Sequence, residues 1–267
     1  MMRKPLVLLA LFVGMSGLSY GQLTRTYNLP RGGDEIIKQQ VDYKDPGRSG
    51  EGVVWNFSKL KAVNPEYKLS YRSPKSIGDS IYILGKDTLP SKGISEGDLV
   101  VGIEHYTMYY YWMQGENLVC LGHENPVTLM HHAEPLLTMN YPFDYGSKVT
   151  KAYRSDGMYS SQEPISIKGR SEIEADAYGK VLLPSGDTLD HVLRIKTIQY
   201  VEEAASAKLQ GADTPSNMRM ETYSWHAKGY RYPVFETVQF FSVADTTETE
   251  KFGMAFLYQP QEHYYLE

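Results

Sequence analysis

Apolar residues in this chain recur at every second position, in short runs. Leu193, Ile195 and Thr197 alternate with Arg194 and Lys196, and Phe252, Met254, Phe256 and Tyr258 alternate with Gly253, Ala255 and Leu257. Neighbouring side chains of an extended strand point to opposite faces, so a period of two puts one set into a core and the other at its back. Turn chemistry separates the runs: Gly85-Lys86-Asp87, Gln114-Gly115-Glu116-Asn117, Ser155-Asp156-Gly157 and Pro184-Ser185-Gly186-Asp187. Such short connections join antiparallel strands, since parallel ones need a long crossover. The 22 tyrosines fit the same picture, because aromatic side chains are favoured in sheets. The expected fold is mainly β, a curved antiparallel sheet in the form of a half-barrel or barrel, with about nine to eleven strands. Helix signals are confined to residues 34–41, with an acidic start, and residues 202–210, which Gly211 would cap.

The first 21 residues form a segment of a different kind. Arg3 and Lys4 precede the apolar run from Leu6 to Val13, and small residues lead to Ser19-Tyr20-Gly21. Charge, apolar core and small side chains at the cleavage positions are the pattern of a signal peptide cut before Gln22. The apolar run falls well short of the roughly 20 residues that span a bilayer as a helix. Residues 22–267 then read as a single β-rich domain with no later membrane-spanning helix. The expected destination is the periplasm, the outer membrane surface or the extracellular space.

Charge and cysteine usage narrow the function classes. The net charge of −5 becomes −7 once Arg3 and Lys4 are removed, so no basic surface exists to neutralise nucleic-acid phosphates. The single cysteine, Cys120, cannot make an intrachain disulfide and stands in the apolar run Leu118-Val119-Cys120-Leu121. It reads as a small buried side chain, with no nearby cation to activate its thiol.

Three stretches carry a resemblance. They are Gly52-Val53-Val54-Trp55-Asn56-Phe57-Ser58, the segment from Tyr141-Pro142-Phe143-Asp144 to Asp176-Ala177-Tyr178-Gly179 and Val181-Leu182-Leu183-Pro184-Ser185-Gly186-Asp187-Thr188, and Tyr223-Ser224-Trp225 with Gly229-Tyr230-Arg231-Tyr232-Pro233. The chain resembles an uncharacterised family of exported bacterial β-domains often found with type IX secretion sorting domains. It is more weakly similar to the half-barrels of lipoprotein carriers. The second resemblance implies a curved sheet around an apolar ligand, and fold alone does not fix function.

No complete catalytic set is visible. Gly47-Arg48-Ser49-Gly50-Glu51 lacks the last glycine of a nucleophile elbow, and Gly78-Asp79-Ser80 has no Asp-x-x-His partner. His123, Glu124, His131 and His132 could supply zinc ligands, yet the spacing is not that of a zincin helix, and adjacent His131 and His132 on a strand would face opposite ways. The expectation is therefore no metal and no cofactor. The aromatic run Tyr109-Tyr110-Tyr111-Trp112 reads as strand residues covering a core. Four Asp-Ser/Thr-apolar triplets mark Ser80, Thr88, Thr188 and Thr246 as O-glycosylation candidates near turns.

These readings point to an exported, non-enzymatic envelope protein that binds an apolar ligand or an envelope protein in the concave face of its sheet. The alternatives are a secreted glycan hydrolase, whose sign would be two carboxylates about 5 to 9.5 Å apart in a tyrosine-lined cleft, and a structural or adhesive surface protein.

Overall fold

A computed structural model describes residues 21–74, 77, 84, 88, 89, 92–204, 216–244 and 247–258. Thirteen strands account for most of them: β1 (Glu35–Val41), β2 (Gly50–Asn56), β3 (Ala62–Arg72), β4 (Leu99–Glu104), β5 (Thr107–Gln114), β6 (Asn117–Glu124), β7 (Thr128–Asn140), β8 (Lys148–Tyr159), β9 (Glu163–Leu182), β10 (Thr188–Ala204), β11 (Ser216–Ala227), β12 (Phe235–Ala244) and β13 (Thr247–Tyr258). All except β2 join in one ring, β1-β3-β4-β5-β6-β7-β8-β9-β10-β11-β12-β13 and back to β1, closed by antiparallel pairs throughout. The fold is a 12-stranded antiparallel barrel, with β2 lying parallel to β9 outside the ring. The expected β architecture holds, with more strands than the turn count suggested.

Residues 34–41, expected as helix, form β1. Its inward side chains Ile36 and Lys38 are buried while Glu35 and Ile37 are exposed, so the two-residue period outweighs the acidic start. Residues 202–204 extend β10, and the rest of the second expected helix lies outside the described residues. The α-helix observed is α1 (Arg25–Asn28), capped by the Thr24 hydroxyl.

Cross-strand partners share a face, so the register separates inside from outside. On β8 the inward set is Val149, Lys151, Tyr153 and Ser155, while Lys148, Thr150, Ala152 and Arg154 are exposed outside. One end of the barrel is plugged. Leu23 exchanges backbone hydrogen bonds with Phe143 (3.0 and 2.9 Å), and both pack with Leu118, Ile173, Leu193 and Ile195. The Asn28 amide donates to the carbonyls of Tyr230 and Arg231, and Tyr141 donates its hydroxyl proton to the Asn28 carbonyl. The opposite end is a lopsided mouth. β9 and β10 have 20 and 17 residues against 6 and 8 in β4 and β5, so one wall rises well above the other.

A second apolar layer lies outside the ring. The register between β9 and β10 pairs Ala175 with Ile195 but Ala177 with Arg194, a one-residue bulge that turns Ala175 inward and Ala177 outward. The outward side chains of this region, including Trp225 and Phe235, are covered by Val53, Trp55 and Phe57 of β2. Trp55 meets Trp225 edge-on at 5.9 Å. The strand fits this close to the wall because Gly179 has no side chain: a Cβ there would lie 1.8 Å from the Val53 carbonyl oxygen. Arg194, 1% exposed, makes a bidentate pair with Asp176 (2.9 and 2.7 Å) and donates to the carbonyls of Pro46 and Gly47 in the strap that leads to β2.

Replacing Arg194 by Ala strands a buried carboxylate and two carbonyls, and should cost about 3 to 5 kcal/mol of unfolding free energy in a urea titration. Limited proteolysis of the same variant should cut first in the strap, residues 42–49. A loss below about 1 kcal/mol would show that the strap is not held by this side chain.

Candidate functional site

The mouth opens onto a belt of polar side chains carried by the inward faces of β1, β4 to β10 and β12. Lys38, 6% exposed, donates to Glu104 (2.8 Å) and Glu236 (3.2 Å) and is ringed by Tyr67, Phe256 and Tyr258 at 4.5 to 5.4 Å. Burial alone would lower the ammonium pKa, but the charges of Glu236, Tyr258 and Glu104 reverse that effect and hold it well above the ordinary lysine value. The belt continues through Tyr109 and His123, which lie 5.7 Å apart, and His132, whose ring is 6.1 Å from that of His123. The Nδ1 of His132 is hydrogen-bonded to the Ser155 hydroxyl. Beyond it, Tyr153 donates to the Tyr200 carbonyl and accepts from the Gln199 amide.

Burial keeps this belt free of titrating charge near neutrality, apart from the Lys38 cluster and Lys151. It pushes the His132 pKa down to about 3, with His123 and His131 adding to the effect, and lowers His123 as well. The Tyr109 phenol is pushed up to about 12 by burial and by Glu104. Cys120 lies buried in β6, and its thiol is pushed up to about 11 by desolvation, as expected of an inert cysteine.

The four residues weighed as zinc ligands are divided by the wall. His123 and His132 face in. Glu124 faces out, where its carboxylate accepts from the Leu84 backbone amide (3.0 Å) and from the Tyr110 hydroxyl. His131 also faces out, beside the Lys92 ammonium at 2.9 Å. Among the described residues no group of three or more His, Cys, Asp or Glu side chains is placed to hold a metal ion. Of the glycosylation candidates, Thr188 is exposed at the start of β10 and Thr88 is half-buried beside Leu89, while Ser80 and Thr246 lie outside the described residues.

Two arrangements escaped sequence reasoning because they join distant strands. Glu104 and Glu236 come together in a tyrosine-lined interior, as a glycosidase pair would, but Lys38 occupies the space between them and donates to both. A glycosidase needs the scissile bond in that space. Ser224 and His226 form the other pair, with the hydroxyl 3.0 Å from Nε2. The Nδ1 of His226 is buried without a partner, so the pair lacks the carboxylate that orients a triad histidine. Their i, i+2 spacing on a strand was the available signal.

Above the belt, the inward face of the tall wall is apolar and half-exposed. Val201, Met218, Met220, Phe240 and Met254 are only partly buried, and Phe252 is 47% exposed while stacked on Phe240 at 5.3 Å. The outward face of the same wall forms a groove of about 650 Å³ lined by Arg154, Lys168, Arg170, Tyr200 and Glu202. Its cations are spent locally: Lys168 pairs with Glu202 at 3.1 Å, and Arg170 pairs with Glu172 and stacks on Tyr200. Compared with known proteins, the chain matches no family model, no curated protein and no solved structure.

His132 and His226, with a pKa pushed down by burial to about 4, stay neutral in the native state where the unfolded chain would protonate near pH 6.5. Their contribution is complete above that pH and is lost as the pH falls below it, because only the unfolded state gains protons. The midpoint of thermal unfolding should therefore drop by several degrees between pH 7.5 and 5.5, and by less in His132→Gln. A flat profile in the parent protein would contradict neutral burial.

Proposed function

We propose that this is an exported, non-enzymatic binding protein of the cell envelope that holds an apolar small molecule in the mouth of its barrel. The observation that carries the reading is the half-exposed apolar face formed by Val201, Met218, Met220, Phe240 and Phe252, directed into the barrel rather than outward. Soluble proteins cover such surface, and a concave apolar wall with a few convergent polar groups is the usual form of a small-molecule site. Methionines suit such a wall, since their flexible side chains adapt to a ligand's shape.

The export signal and the resemblance to exported β-domains support the location. Cleavage before Gln22 would leave Leu23 and the floor plug intact. The outward faces of β8 and β9 carry Lys148, Arg154, Asp156, Lys168, Arg170 and Glu174, where a barrel crossing a bilayer would carry an apolar band. The ligand reading replaces the expected open concave face with a closed barrel's mouth. It also accounts for the Lys38 cluster as a neutralised structural layer below the site.

The fluorescent probe N-phenyl-1-naphthylamine should bind the purified protein with saturation near one equivalent. Phe240→Asp, which puts a charge on the inward wall without touching the buried core, should weaken that binding about tenfold or more. Undiminished binding in a folded Phe240→Asp protein would remove the mouth as the site.

A further inference from the structure

One hydrogen-bonded line of register crosses six strands on the inner face of the barrel. Lys151 stands opposite Ser171, Ser171 opposite Gln199, Gln199 opposite Met220, Met220 opposite Phe240 and Phe240 opposite Phe252. The first three side chains are polar and the last three apolar, so the row itself is amphipathic. Its polar half is under-used. Lys151 faces inward with no ion pair or hydrogen bond among the described residues, whereas Lys148, Lys168 and Lys196 all pair with glutamates. Ser171 is 1% exposed and its hydroxyl has no hydrogen-bond partner among the described residues either. Gln199 commits one amide N–H to the Tyr153 hydroxyl and has a second to give.

A buried hydroxyl without a partner and an inward ammonium without a counter-charge are both costly unless something supplies acceptors. Glu104 and Glu236 do not supply them, since both are engaged by Lys38. We propose that Lys151, Ser171 and Gln199 receive the carboxylate of a single-chain amphiphile whose alkyl tail runs along the same row to Met220, Phe240 and Phe252. The carboxylate accepts from the ammonium, the hydroxyl and the free amide N–H, and charge-assisted bonds of this kind are the stronger ones. The span from Ser171 to Phe240 is three strand spacings, about 14 Å, close to the length of an extended dodecyl chain. Lys151 selects the acid over an uncharged analogue of the same length.

This inference rests on the mouth being a ligand site, and one experiment separates the two. Dodecanoate and 1-dodecanol are titrated against bound N-phenyl-1-naphthylamine at pH 8, in the parent protein and in Lys151→Gln and Ser171→Ala, each checked for folding by circular dichroism. The expected result is that dodecanoate displaces the probe at about tenfold lower concentration than dodecanol, and that Lys151→Gln abolishes this preference while leaving dodecanol unchanged. Ser171→Ala should weaken dodecanoate with a smaller loss. Equal displacement by acid and alcohol, or an acid preference that survives in Lys151→Gln, overturns the carboxylate site and leaves the apolar mouth standing. Failure of both compounds to displace the probe overturns the ligand reading itself.

Discussion

The buried pair between Arg194 and Asp176 is the point on which the two layers of this protein turn. Asp176 sits in the bulge of β9, between an alanine that faces the barrel interior and one that faces the outer core. Without that extra residue, β9 would keep one face in register along its length and could not serve both layers. Arg194 satisfies the carboxylate and reaches the strap carbonyls, with the rings of Trp55, Tyr223 and Trp225 within 4.9 to 5.8 Å of its guanidinium. A planar fork with several donors can do this, whereas a lysine ammonium could not reproduce the geometry. The outer layer holds β2 against the wall, which leaves the inner faces of β9 and β10 to build the chamber.

The barrel's interior is graded along its axis. Apolar side chains from the segment around Leu23 and from Tyr141 and Phe143 close the floor. The belt above is polar, and its most charged part is neutralised by the two carboxylates around Lys38. The tall wall above that is apolar and partly open. The gradient follows from unequal strand lengths: only β8 to β13 extend far enough to present inward residues beyond the belt. Binding energy in such a chamber would come mainly from the wall and discrimination from the belt, because apolar contact is non-directional and hydrogen bonds are not.

Much of the architecture was legible in the sequence. The alternation in residues 193–197 and 252–258 identifies the inward faces of β10 and β13, and Trp55 and Trp225 do supply large core area. The helix expected at residues 34–41 failed because a local acidic start is a weak signal beside the ladder that β1 makes with both β13 and β3. The site was far less legible. Histidines 123, 131 and 132 looked like a cluster because they are close in sequence, yet the wall separates them. Lys38, Glu104 and Glu236 looked unrelated, yet the barrel's closure brings them within one hydrogen-bonded group. Lys151, Ser171 and Gln199 carry no local motif, since only the register of three strands aligns them.

The most direct test of this account is a crystal structure of the protein soaked with 12-bromododecanoate, with the bromine located by anomalous scattering. The account predicts one bromine beside Phe240 and Phe252, and the carboxylate at Lys151 and Ser171. Bromine in the outer groove between Arg154 and Glu202, or no ordered bromine at saturating ligand, would contradict it.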